Sequence, residues 1–377
     1  MKIVVAIDSF KGSLSSYKAG EAVKLAVKEL DKTAEVDVVC LADGGEGTTE
    51  SLVRGLKGDY KTVEVTGPLG DRVNAVYGIV DNSIAVIEMA TASGITLVEK
   101  SRLNPLIATT YGVGEVIIDA LNQGCRNFII GLGGSATNDV GVGMLKALGY
   151  EFLDKCGNPV GLGAQAIKEI VGICDKNVDK RLKDCLFTIA CDVKNPLVGV
   201  QGCSEIFSRQ KGATEQMVKD MDGWIDNFSA VVKKYNPVSD KNAQGMGAAG
   251  GLGFAFTYFL GGKITPGIEL ITSKIGLEEK IKQADLVVTG EGRLDGQSAM
   301  GKAPVGVSTL AKKHGKKVIA FAGSIGNGAE VLNSMGIDAY FSITNGPCSL
   351  EDAMKEENAF SNLKNTAVQV LKLWLNI

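Results

Sequence analysis

Short β-branched runs that stop at an acidic or glycine-rich cluster and then pass into helical periodicity occur at both ends of this chain. Residues 2–7 are apolar and β-branched, and they run into Asp8-Ser9-Phe10-Lys11-Gly12-Ser13. Apolar spacing then predicts a helix from about Tyr17 to Leu30, with Ser15 or Ser16 as its N-cap. Val36–Leu41 predicts a second strand, ending in Ala42-Asp43-Gly44-Gly45-Glu46-Gly47. The same texture returns with strands at Leu286–Thr289, Val318–Ala322 and Tyr340–Ile343, and helices between them. Five parallel-type strands in βα units suit a flavodoxin-like doubly wound sheet.

Between these ends the texture changes. Lys61–Val65, Val73–Val80 and Ile84–Met89 alternate apolar and polar residues and are separated by turn signals, which predicts an antiparallel meander. Further strands follow at Phe128–Ile130 and Leu186–Ala190. The expected organisation is a flavodoxin-like α/β domain of residues 1–61 plus 281–377, interrupted by a mixed α/β domain of residues 62–280. A length of 377 residues also favours two cores over one.

Composition narrows the partners. The net charge is −3 and no basic stripe is present, which argues against nucleic acid. The longest apolar runs are far short of a membrane span, and the N-terminus lacks a signal-peptide pattern, so a cytoplasmic protein is expected. None of the eight cysteines forms a C-x-x-C pair, so reduced thiols are expected and structural zinc is not. With His314 alone in a Lys-rich helix end, any general base must be a carboxylate or a lysine.

In open α/β sheets, ligands sit beyond the carboxyl ends of the strands. Asp8, Asp43, Asp139, Asp192, Glu291 and Asp295 all fall there or just beyond. Six acidic strand ends, most beside glycines, point to a cation and phosphate site. The loop of Asp8, Ser9, Lys11 and Ser13 reads equally well as a phosphate cradle or as a capping loop with a surface lysine. Gly131-Leu132-Gly133-Gly134-Ser135-Ala136-Thr137-Asn138 leads from strand to helix, and its glycines favour an anion-binding turn. Gly245-Met246-Gly247-Ala248-Ala249-Gly250 matches G-x-G-x-x-G in letters only, because no strand precedes it. Near Gly296–Ala303 a Walker-like run has Ala303 where a P-loop needs Ser or Thr, which leaves Lys302 as a point charge facing phosphate.

Taken together these segments resemble the type I glycerate kinase family. The segments are Asp8–Leu14, Ala42–Gly47, Glu88–Ala90 with Ala92–Gly94, Ala108–Gly112, Gly131–Asp139, Asp192–Leu197, Gln210–Thr214, Gly245–Gly253 and Thr289–Pro304. The resemblance implies a flavodoxin-like domain beside a second α/β domain, and ATP- and Mg²⁺-dependent phosphorylation of D-glycerate to 2- or 3-phosphoglycerate. The resemblance supports a site here without distributing its parts; from the residue chemistry, Lys11, Lys302 and the Gly131–Ser135 loop, with Gly133, Gly134 and Ser135, are assigned to phosphate or carboxylate oxygens. One or two of Asp43, Glu46, Glu291 and Asp295 hold Mg²⁺. Arg293 or Lys194 meets the glycerate carboxylate. Asp192 is the first choice of base, with Asn195 orienting nearby and Asp295 and Asp8 as rivals, while Asp192 as a turn cap is the plain alternative. A kinase of another small hydroxylated metabolite and a non-catalytic nucleotide or metabolite sensor are the competing functions.

Overall fold

A computed structural model describes residues 1–375. The chain forms two compact units. The first comprises residues 1–43, 50–56 and 268 onward, and the second comprises residues 44–49 and 57–267.

The first unit is built on a five-stranded sheet. Its order is Ala339–Ser342, Lys317–Ile325, Leu286–Leu294, Lys2–Ile7, Glu35–Cys40, and every pair is parallel. Counted along the chain this is the 2-1-3-4-5 order of flavodoxin-like sheets. Helices Ser16–Leu30 and Glu356–Leu375 pack together, and Ile3, Val5 and Ile7 share a core with Val23, Leu363 and Leu371. Ser15 caps the first helix by accepting the Lys18 N–H.

Two central strands run longer than their apolar residues suggest. Pairing between Leu286–Leu294 and Lys317–Ile325 continues as far as Leu294 with Ile325. Glu291 and Arg293 therefore stand within a strand and not beyond one. Gly290 makes the extension possible, because a Cβ there would lie 2.1 Å from the Phe321 carbonyl oxygen.

The second unit carries a six-stranded mixed sheet in the order Lys263–Thr265, Leu186–Ala190, Asn127–Gly131, Ile84–Glu88, Arg72–Val80, Asp59–Thr66. The last three form the antiparallel meander, and the others pair in parallel. Its core includes Phe128 and Phe187, stacked with ring centres 4.8 Å apart. Helix Ala248–Leu260 starts irregularly, with Ala249, Gly250 and Gly251 in left-handed conformations, so the regular helix begins at about Leu252. Among the described residues no helix is long and apolar enough to cross a membrane. The eight cysteines are free.

Candidate functional site

In the first unit the strand ends gather a charged cavity of about 550 Å³. Asp8, Ser9, Lys11, Ser13, Asp43, Glu291, Arg293 and Lys302 all line it, together with the apolar side chains of Phe10, Ile343, Leu350 and Met354. Asp8 follows directly on strand Lys2–Ile7 and is 3% exposed. Its Oδ1 accepts the Ser9 N–H at 2.7 Å. Burial first, and then the neighbouring Asp43 carboxylate, push the Asp8 carboxyl up to about 7 against the opposing pull of Ser9 and Lys11. Lys11 Nζ pairs with Asp43 at 2.8 Å. Glu291 is also buried, which raises its carboxyl from the ordinary range; Ser298 Oγ donates to it, and Lys302 Nζ lies 3.8 Å away.

The hydroxyls of Ser9 and Ser13 are buried and meet no partner among the described residues. Buried hydroxyls normally find one, and Ser9 and Ser13 both belong to the cavity lining. Arg293 is exposed and pairs with Asp295 at 3.2 Å. Asp295 Oδ1 also accepts the Gln297 N–H and does not line the cavity.

The second unit holds the glycine loop. Gly133, Gly134 and Ser135 line a smaller cavity of about 320 Å³, with Val193, Gln210 and Lys211. The two glycines answer to different constraints. A Cβ on Gly133 would fall 2.7 Å from Gly45 Cα, so close packing within the unit requires glycine there. Gly134 has φ +67°, a conformation that suits glycine and strains most side chains.

Asp139 is fully buried and accepts the backbone N–H groups of Thr110, Gly141 and Gly143 and the Thr110 hydroxyl. It is a strut for the loop. Asn138 donates to Ser204 Oγ at 2.9 Å and keeps an unpartnered Oδ1. Asp192 is exposed, and its Oδ1 accepts the Gly267 N–H at 2.9 Å, where helix Gly267–Lys274 begins. Asn195 donates to the Gln201 carbonyl. Glu46 is exposed and belongs to this unit, apart from Asp43, Glu291 and Asp295 in sequence grouping.

Two residues were not singled out from the sequence. Glu88 ends strand Ile84–Glu88 and accepts the Thr49 N–H at 2.8 Å, and burial raises its carboxyl. Lys211 is 1% exposed and donates to Ser135 Oγ and the Thr137 carbonyl. Only the run Gln210-Lys211-Gly212 marked it, and a lysine between polar neighbours gives no sign of burial. His314, by contrast, closes helix Ala303–Lys313 and sits 2.8 Å from Glu278, outside both cavities.

Parallel strands ending in a carboxylate–lysine cavity, with a second anion-suited cavity in the other unit, describe an α/β enzyme. Residues 3–375 match the model of the glycerate kinase family. The chain is 45% identical to glycerate 2-kinase of Escherichia coli (strain K12), over 96% of this chain and 95% of that one. It is 42% identical to glycerate kinase of Halalkalibacterium halodurans, over 99% of this chain and 98% of that one. A crystal structure from Salmonella typhimurium LT2 named as glycerate kinase 2 superposes with a TM-score of 0.88 at 42% identity, covering 100% of this chain and 98% of that one. The chain belongs to the glycerate kinase family and is a phosphotransferase of that family, which implies a nucleotide substrate.

Proposed function

We propose that this enzyme moves the γ-phosphoryl group of ATP to a hydroxyl of D-glycerate. The name of the Escherichia coli relative supports the 2-hydroxyl as acceptor, giving 2-phosphoglycerate and ADP. The observation that carries the reading is the first-unit cavity, where Lys11 and Lys302 stand among Asp8, Asp43 and Glu291. Phosphoryl transfer needs positioning and charge neutralisation more than covalent chemistry, and these residue types supply both. Lys11 and Lys302 take phosphate oxygens, and Ser9 and Ser13 donate from their unpartnered hydroxyls.

Mg²⁺ fits the same lining. Among the described residues no three carboxylate, thiol or imidazole groups form a ready cage. Mg²⁺ bound with a nucleotide uses one or two carboxylates and completes its shell with phosphate and water. Of the four metal candidates Asp43, Glu46, Glu291 and Asp295, Asp43 and Glu291 line the cavity. When bound, Mg²⁺ would neutralise phosphate charge. Asp295 is committed to Arg293 and Gln297, so it ranks behind them.

For the base, Asp8 goes ahead of Asp192. A base works best when its pKa is near the working pH, and burial sets the Asp8 carboxyl at about 7. Asp192 already holds the start of a helix through Gly267. A coupled assay of ADP release with and without D-glycerate tests the activity. Glycerate-dependent release is expected; release that ignores glycerate removes the proposal, and a panel of other hydroxy acids and sugars would then identify the acceptor.

A further inference from the structure

Lys211 is a fully buried lysine. It ends the turn Arg209–Lys211, and Gly212 at φ +94° reverses the chain immediately after it. A Cβ on Gly212 would lie 2.3 Å from the Leu103 carbonyl oxygen, so this reversal needs glycine. Arg209 pairs outward with Glu205 and Glu215, and Lys211 turns inward. Its Nζ reaches Ser135 Oγ at 2.8 Å and the Thr137 carbonyl at 2.6 Å. Among the described residues no carboxylate lies within ion-pair distance of it. A buried ammonium with only neutral partners is expensive to keep, and an anionic ligand would offset that expense.

The surroundings suit such a ligand. Lys211 lines the 320 Å³ cavity with Gly133, Gly134 and Ser135. Among the described residues no protein oxygen accepts from the backbone N–H groups of those three. Ala249, on the same lining, is held at φ +50°, and Val140 of the adjoining loop at φ +52°. Such backbone strain in non-glycine residues concentrates where a site must keep its shape. The volume sits at the small end of ligand cavities, which run roughly 300–1,000 Å³.

We infer that this cavity is the acceptor's carboxylate site, with Lys211 as the cation that binds the carboxylate of glycerate and the Gly133–Ser135 N–H groups as supporting donors. The inference rests on the glycerate reading above and deepens it. It replaces Arg293 and Lys194, both exposed, as the carboxylate's partner. Burial lowers the Lys211 ammonium to about 8 against smaller opposing influences from Cys203 and Asp139, so the cation is present at neutral pH and is lost as pH rises through that value.

Calorimetric titration of the full chain with D-glycerate, glycerol and the non-hydrolysable nucleotide AMP-PNP tests this. Wild type should bind glycerate and not glycerol, and glycerate affinity should fall as pH rises through about 8. Lys211→Met should weaken glycerate on the order of 100-fold and raise its KM to match, with nucleotide affinity nearly unchanged. A folded Lys211→Met variant with wild-type glycerate affinity would reduce Lys211 to a loop strut. Loss of AMP-PNP affinity with glycerate intact would give the cavity to a nucleotide phosphate instead. Should the variant not fold, a pH-independent glycerate affinity in wild type overturns the inference alone. If wild type neither binds glycerate nor releases ADP in its presence, it is the activity reading that fails.

Discussion

The two cavities answer the same physical problem in opposite ways. In the first unit acids are buried and lysines are exposed: Asp8 and Glu291 are nearly covered, whereas Lys11 and Lys302 side chains are 56% and 39% exposed. In the second unit the lysine is covered completely and its partners are a hydroxyl and a carbonyl. Loss of water disfavours charge in both, so it raises the acid and lowers the base. The outcomes differ for function. Asp8 is brought to about 7, a value suited to proton exchange near neutral pH, while Lys211 at about 8 remains mostly charged there. One site is suited to moving a proton and neutralising phosphate, the other to holding a small anion.

The largest expected effect lies in the first unit. Asp8→Asn should lower kcat by about 10²–10⁴-fold with nucleotide affinity retained, as loss of a general base does. In wild type kcat should rise as pH passes upward through about 7, when Asp8 loses its proton, and the variant should lose that limb. Stability moves the other way. The folded Asp8 carboxyl titrates higher than an unfolded one, so this group's contribution falls as pH rises from about 4 to 7. Thermal melts of wild type and Asp8→Asn across that window should therefore diverge in the variant's favour.

A second comparison separates strut from ligand in the other unit. Asp139→Asn replaces an acceptor by a donor against the Thr110, Gly141 and Gly143 N–H groups. It should cost about 3 kcal/mol in denaturant unfolding. Lys211→Met should act on glycerate binding far more than on folding. If the two variants behave alike, the distinction between them collapses.

The smallest effect is expected at Asp192. Asn keeps an oxygen for the Gly267 N–H, so Asp192→Asn should change kcat by less than roughly tenfold and stability by under about 1 kcal/mol. A fall of 10² or more would return the base to Asp192 and move proton transfer into the second unit.

Much of the first cavity was legible in the sequence. A buried parallel strand is an apolar run, and the acidic residue that ends it is easy to see, as with Asp8 after Ile7 and Asp43 beyond Cys40. Glycines were harder to interpret. Gly290 reads as loop but lies in a strand, and the lack of a Cβ at Gly133 is required by its neighbour Gly45 whatever its N–H binds. Both depend on chain passing nearby from far along the sequence. Lys211 was the hardest, because nothing in its own neighbourhood tells an inward lysine from the outward Arg209. Asp192 shows the reverse case: a conspicuous acid that accepts the N–H at the start of a helix seventy-five positions on.

Transfer of phosphate from ATP to glycerate is followed by ³¹P NMR of the enzyme with ATP, Mg²⁺ and D-glycerate. One phosphoglycerate should form per ADP, with its resonance matching authentic 2-phosphoglycerate. ADP with inorganic phosphate and no phosphoglycerate, or no turnover of ATP at all, would contradict it.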